Sequence, residues 1–188
     1  LVMGNGSNTL IPDEGVRGVV INLSAAAFRT IDLKGDLVTV GAGACLGGLV
    51  SRCCKKGLSG LEGLAGIPAS VGGALSMNAS YRGSISDRLV RLRLVGPDGT
   101  ARWLERNELD FGYRYSSVKG KGIVTSAVFR LMEDDPRKAV ARMTGSFAEK
   151  VETQPLGKRT LGCVFKNPVS AGRSSGELID RAGMKGAA

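Results

Sequence analysis

Histidine is absent from all 188 residues, and cysteine occurs only at positions 45, 53, 54 and 163. There is no CxxC pair either, so no metal site is expected. The cysteines form no disulfide pattern, which fits a reducing compartment and a cytoplasmic location. Aromatic residues make up 5% of the chain, thin for stacking bases. No apolar run nears the roughly 18 residues that span a bilayer, so no membrane partner is expected. Basic residues exceed acidic ones, 26 to 17, for a net charge of +9, yet they form no block of five or more. Such a balance suits a phosphorylated small molecule as readily as nucleic acid. A nucleic-acid reading rests on charge alone, and steep salt dependence of DNA binding is its test.

What is present is enough to fold. Hydrophobic residues are 43% of the sequence, and the length allows one large domain or two small ones. The most unusual stretch is Gly66-Ile-Pro-Ala-Ser-Val-Gly-Gly-Ala74, followed by Met77-Asn78-Ala79. It has no charge, so it reads poorly as a surface linker. Its glycines permit close backbone approach, and free N–H groups in such turns form anion-binding concavities. The plain alternative is a buried tight turn. A second glycine-rich loop, Gly4-Asn5-Gly6-Ser7-Asn8, follows an apolar run that reads as a strand end.

Taken in order, Gly18–Leu23 reads as a β-branched strand. Phe28–Leu33 and Leu37–Val40 read as a hairpin around Lys34-Gly35-Asp36. A helix follows, with Leu46, Leu49, Val50 and Cys53 on one face, and Gly57 stops it. That face makes Cys53 core rather than chemistry. Leu89–Val95 and Ala101–Leu104 read as a hairpin turning at Pro97-Asp98-Gly99, and Ile123–Leu131 as a strand. Composition shifts at Met132-Glu-Asp-Asp-Pro136, where Asp135 suits an N-cap and Pro136 the first helical position. The helix that follows to about Val151 puts Val140, Met143, Phe147 and Val151 on one face. A Gln154-Pro155 turn and a short helix at Gly176–Arg181 complete the tail. Hairpins outnumber βαβ units, so the fold class is α+β. A domain boundary is placed near 132, giving domains 1–132 and 133–188.

Several motifs stand in one order: Gly6-Ser7-Asn8, Gly60-Leu-Glu-Gly-Leu64, Gly66-Ile67-Pro68 with Val71-Gly72-Gly73-Ala74, and Met77-Asn78-Ala79. Tyr113-Arg114-Tyr115-Ser116, Gln154-Pro155, Gly162-Cys163-Val-Phe-Lys166-Asn167-Pro168 and Leu178-Ile-Asp-Arg-Ala-Gly-Met-Lys185-Gly186 follow. Each is weak alone; together they resemble the UDP-N-acetylenolpyruvoylglucosamine reductase (MurB) family across nearly the whole chain.

The resemblance implies a vanillyl-alcohol-oxidase-like (PCMH-type) FAD domain and a smaller α+β substrate domain. It implies a monomeric, cytoplasmic flavoenzyme of peptidoglycan precursor synthesis that uses FAD and NADPH. NADPH reduces FAD, and the flavin then reduces the enolpyruvyl ether of UDP-N-acetylglucosamine enolpyruvate to the lactyl ether of UDP-N-acetylmuramate. FAD contact is carried onto Gly6, Ser7, Asn8, Gly66, Ile67, Pro68, Ser70, Gly72, Gly73, Asn78 and Ala79. Substrate contact falls on Tyr113, Ser116, Lys166, Asn167 and Lys185, with Glu177 a weaker case. Tyr81 and Arg82 stand where the family has smaller residues and receive no role.

Two residues suit the chemistry on their own terms. Reduction of the alkene leaves negative charge that spreads into the neighbouring carboxylate, and Arg114 can grip that group bidentately. Its plain alternative is a surface ion pair. Cys163 suits the proton donor at carbon, since a thiol is mostly protonated near pH 7 and releases its proton more readily than an alcohol. The family more often has Ser there; the plain alternative is a small buried hydrophobe. Both ends read as internal to a longer protein. The family's C-terminal glutamate and Ser-x-x-His-x-Asn-Phe stretch lie past residue 188, so turnover of this chain is expected to be poor. Another FAD oxidoreductase of the same superfamily, or a non-catalytic flavin- or nucleotide-sugar-binding module, stays open as an alternative.

Overall fold

A computed structural model describes residues 1–154, 162–168, 170, 172–184 and 186. The chain divides into two compact units, Leu1–Gln154 and Pro155–Ala188. The strands of the first unit, in order, are β1 (Ile31–Lys34), β2 (Leu37–Gly41), β3 (Leu58–Ser59), β4 (Ser80–Tyr81), β5 (Gly83–Ser84), β6 (Leu89–Val95), β7 (Ala101–Glu105), β8 (Phe111–Gly112), β9 (Tyr115–Ser116), β10 (Ile123–Arg130) and β11 (Met132–Glu133). Its helices are α1 (Leu46–Lys55), α2 (Val71–Met77) and α3 (Pro136–Thr153).

Five strands make one antiparallel sheet in the order β1-β2-β10-β6-β7. Period-two alternation decides its faces. On β6, Leu92 and Leu94 are buried while Arg91 and Arg93 point to solvent. On β2, Val38 and Val40 are fully buried. α1 buries Leu46, Leu49, Val50, Cys53 and Cys54, the 3.6-residue stripe expected of an amphipathic helix. Cys53 is core, as its spacing suggests, and burial pushes its thiol up to about 12. Gly57 follows the C-cap at φ +69°, and its N–H donates to the Cys54 carbonyl at 3.0 Å.

The α+β class and the β6–β7 and β1–β2 hairpins follow the sequence reading. Three local expectations do not hold. Gly18–Leu23 makes a single parallel bridge, Val2 to Ile21, rather than a strand. Its β-branched residues have only Leu1–Met3 beside them, and Val19 is 75% exposed. The central glycine motif is not all turn: Val71–Met77 is helical, with Ser70 accepting from the Gly73 N–H. Gly72 lets that helix lie on the strand end, since a Cβ there would stand 2.9 Å from the Ala42 Cβ.

The third correction concerns α3. Asp135 caps it as expected, accepting from the Arg137 N–H, and Val140 and Met143 pack against the core, but the rest of the expected stripe does not. Phe147 and Val151 are nearly half exposed, whereas Ala139, Ser146 and Lys150 are buried. A polar anchor sets that rotation. Glu62, 6% exposed, accepts from Arg142 Nη2 at 2.8 Å and Nε at 3.1 Å, from Ser59 Oγ at 2.8 Å and from the Gly60 N–H at 2.5 Å. Arg142 also pairs with Asp134. The helix is thereby held against residues 59–62, and Lys150 is carried two turns further along the same side.

In the second unit α4 (Ser175–Arg181) starts at Ser174, whose hydroxyl accepts from the Glu177 N–H at 3.1 Å.

Candidate functional site

The two glycine loops, some sixty residues apart in sequence, meet in space. Asn22 donates to the Met3 and Gly4 carbonyls, both at 2.9 Å, and this fixes the first loop. Asn5 reaches the Pro68 carbonyl at 3.5 Å. A Cβ on Gly4 would stand 2.4 Å from Ser70 Oγ. Gly6 takes φ +71° and Gly66 φ +76°, conformations that suit glycine. Gly72 N–H donates to the Ala42 carbonyl at 2.8 Å. Gly6, Ser7 and Asn8 are therefore the exposed continuation of a loop seated on Pro68, Ser70 and Gly73. Among the cofactor candidates, Ile67 packs at the core's edge.

α2 ends at Asn78, which is 5% exposed and left-handed at φ +45°. Ala79 follows and closes the helix end, its N–H on the Ala74 carbonyl at 2.8 Å. Asn78 Nδ2 donates to the Gly112 carbonyl at 2.9 Å, while its Oδ1 is buried without a partner. That bond draws the β8–β9 hairpin up to the helix end. Arg114 sits in the hairpin's turn at φ +53°. Its Nη1 donates to Ser80 Oγ at 3.0 Å, and its guanidinium lies 5.5 Å from the Tyr113 ring centroid. Among the described residues no carboxylate lies within ion-pair reach of it, so the surface salt bridge is not its arrangement. Ser116, 3% exposed, also has an unpartnered Oγ. Tyr113 is about half exposed.

Lys150 is the residue that sequence reasoning missed. It is 6% exposed, its Nζ lies 5.7 Å from the Tyr81 ring centroid, and its Cδ would be 3.2 Å from a Cβ on Gly66. Burial first, then the charge of Arg114, lowers its pKa from the ordinary lysine value. A lysine near the end of an amphipathic helix reads as solvent-facing; only the Glu62–Arg142 anchor, a tertiary feature, turns it inward. Tyr81 packs on Lys150, and Arg82 pairs with Glu149 at 2.5 Å.

In the second unit Cys163 is exposed, after Gly162 at φ +67°. The Cys163–Asn167 loop is tied to α4: Asn167 Oδ1 accepts from the Ser175 N–H at 2.9 Å, and the Lys166 carbonyl from Ser175 Oγ at 2.7 Å. Glu177 pairs with Arg173 and Arg181. Lys185, and Pro155 of the expected turn, lie outside the described residues. Among those described, no group of three or more His, Cys, Asp or Glu stands ready for a metal, and no helix is long and apolar enough to cross a membrane.

Known proteins resemble the chain in both parts. The family model for an FAD binding domain matches residues 1–105, and that for the C-terminal domain of UDP-N-acetylenolpyruvoylglucosamine reductase matches residues 154–188. The reductase of Thermus thermophilus is 46% identical over 186 residues, covering 98% of this chain and 67% of that protein. The chain belongs to the UDP-N-acetylenolpyruvoylglucosamine reductase family. The reductase of Bacillus subtilis (strain 168) is 43% identical over 188 residues, and the chain spans 61% of its length. The crystal structure of the Thermus caldophilus reductase matches with TM-score 0.86 and 44% identity, over 97% of this chain and 66% of that one. A more distant likeness, to 6-hydroxy-D-nicotine oxidase of Arthrobacter nicotinovorans at 23% identity and TM-score 0.54, shows the oxidase-type FAD fold.

For a member of this family, FAD fits what the first unit presents. The glycines let the two loops seat on each other, Gly4 against Ser70, while Gly6 at φ +71° stays open to a ligand. The buried Asn78 Oδ1 without a donor is an acceptor suited to an N–H such as the isoalloxazine ring carries.

Proposed function

We propose that this chain carries the FAD and substrate sites of an enzyme that reduces UDP-N-acetylglucosamine enolpyruvate to UDP-N-acetylmuramate with NADPH. The observation that carries this is Arg114: in a family member, a guanidinium held in a left-handed turn that Asn78 draws to the end of the glycine-motif helix, without a carboxylate partner among the described residues. Residues 1–132 form the FAD-binding domain, which also lends Tyr113, Arg114 and Ser116 to the substrate, and residues from 133 onward belong to the substrate domain.

Bound FAD would supply the hydride-transfer chemistry between NADPH and the alkene, and a proton completes the lactyl ether. Gly6, Ser7 and Asn8 with Gly66, Ile67, Pro68, Ser70, Gly72 and Gly73 would hold the cofactor. Asn78 and Ala79 would complete that site. Arg114, positioned by Ser80, grips the substrate carboxylate and stabilises the charge that spreads into it. Tyr113 and Ser116 flank that grip. Cys163 gives its proton to the substrate carbon. Lys166, Asn167 and Lys185 meet the nucleotide-sugar diphosphate. Four free cysteines among the described residues suit a cytoplasmic setting.

The test is the visible spectrum of the purified chain with FAD, followed by UDP-N-acetylglucosamine enolpyruvate. Flavin absorption is expected, with a shift on adding that ligand and none with UDP-N-acetylglucosamine. A chain indifferent to both FAD and the enolpyruvyl sugar contradicts the reading. Cys163→Ser is expected to keep proton transfer within about tenfold, and Cys163→Ala to slow it by about 10²–10⁴.

A further inference from the structure

Lys150 has no part in the reading above, although its setting is costly. A buried ammonium is normally paired, and among the described residues no carboxylate lies within ion-pair reach of Lys150. The adjacent Glu149 is engaged by Arg82 at 2.5 Å. What Lys150 meets instead is the Tyr81 ring and Gly66. Tyr81 follows Ser80 on β4, and Ser80 holds Arg114 through Nη1. Two cations thus converge on β4 from different elements, α3 and the β8–β9 turn, and among the described residues no carboxylate pairs with either. Like charges so placed repel, and an anionic ligand between them relieves both the repulsion and the desolvation of Lys150.

Resting on the functional reading above, we propose that Lys150 is a second anion-binding residue, which with Arg114 closes from two sides on one anionic, oxygen-bearing group. Two sources carry that chemistry. One is the carboxylate of the enolpyruvyl substrate. The other is the pyrimidine edge of FAD, which gains negative charge on two-electron reduction, and Gly66 of the glycine cradle is what Lys150 touches. A charge-assisted hydrogen bond contributes more than a neutral one, so its loss is readable at either source.

The experiment uses FAD-loaded protein with Lys150→Gln, Lys150→Met and Lys150→Arg, each checked by circular dichroism and melting. Two quantities are read: the affinity for UDP-N-acetylglucosamine enolpyruvate from the flavin spectral shift, and the flavin midpoint potential. If the carboxylate is the partner, Lys150→Gln weakens that ligand by about tenfold or more, Lys150→Arg restores most of it, and the potential holds. If the flavin is the partner, Lys150→Gln lowers the potential by about 30 mV, the equivalent of tenfold for a two-electron couple, and ligand affinity holds. Folded Gln and Met variants that match the parent in both quantities overturn the proposal. If the parent itself takes neither FAD nor the sugar ligand, it is the functional reading that has failed. Lys150 is then tested by calorimetry of phosphoenolpyruvate on the apoprotein, where equal affinity of parent and Lys150→Gln overturns the anion site.

Discussion

Arg114 occupies φ +53°, a region that costs a residue with a Cβ about 1 kcal/mol or more. Its neighbours repay little of that, since the guanidinium's hydrogen bonds go to Ser80. The position therefore reads as functional rather than stabilising, which makes a separable prediction. Arg114→Gly suits the backbone and removes the charge. Its melting temperature is expected to stay within a few degrees of the parent, because relief of strain offsets glycine's entropy cost of about 0.5–1 kcal/mol. Affinity for the enolpyruvyl sugar is expected to fall by about a hundredfold, and with Arg114→Lys by about tenfold, since an ammonium cannot make the bidentate grip. An Arg114→Gly variant with unchanged affinity refutes the role. Arg114 stands out in the sequence because its neighbours Tyr113, Tyr115 and Ser116 mark a motif, and the structure bears out only that it lacks the surface ion pair among the described residues. Lys150 was not legible there, because one lysine among the many on helices carries no local signal of burial.

Elements are where local patterns and tertiary demands compete. β6, β10 and α1 were legible because burial enforces their periodicity. Gly18–Leu23 has strand composition but only one short neighbour, and propensity without a ladder makes a bridge. α3 shows the reverse case: Val140 and Met143 keep to the core, but past the Glu62–Arg142 anchor Ser146 and Lys150 are buried in place of Phe147 and Val151. Burial alone would raise the Glu62 carboxyl, but the N–H groups of Glu62 and Gly60, with Arg142 and Ser59, outweigh it and hold the carboxyl below the usual 4.5. A carboxyl lower in the folded than in the unfolded chain stabilises the fold above the unfolded value. That stability is lost as pH falls through the folded one. Asp134, lowered chiefly by Arg142, acts with the same sign. Glu62→Gln is expected to cost about 2 kcal/mol at pH 7, some 4–8 °C in melting temperature. It should also flatten the acid limb of the stability profile below about pH 4.5. Parallel acid limbs for variant and parent in thermal melts would dissociate Glu62 from the acid sensitivity.

At the scale of the whole molecule, the ordered motifs named the family, yet no motif announced that the loop at Gly4 and the helix start at Ser70 share one surface. That contact depends on Asn22 reaching back to the Met3 and Gly4 carbonyls and on Gly72 letting α2 settle onto Ala42. Gly4 is the pivot, since a Cβ there meets Ser70 Oγ at 2.4 Å. The obstructing atom ends a short, rotatable side chain, so Gly4→Ala is accommodated by swinging Ser70 away. The swing costs the Ser70 cap on the Gly73 N–H, now at 3.2 Å, about 1 kcal/mol of stability. The larger effect falls on the cradle, because both loops lose their common registration. FAD affinity is expected to drop by about tenfold or more for Gly4→Ala, through a lost preorganisation rather than a lost contact. Ser70→Ala removes the cap without pushing the loops apart, and is expected to match the stability loss while keeping most of the affinity. Flavin fluorescence titrations of the two variants decide the matter: a shared loss of affinity assigns the effect to the cap, and a loss confined to Gly4→Ala assigns it to the seating of one glycine loop on the other.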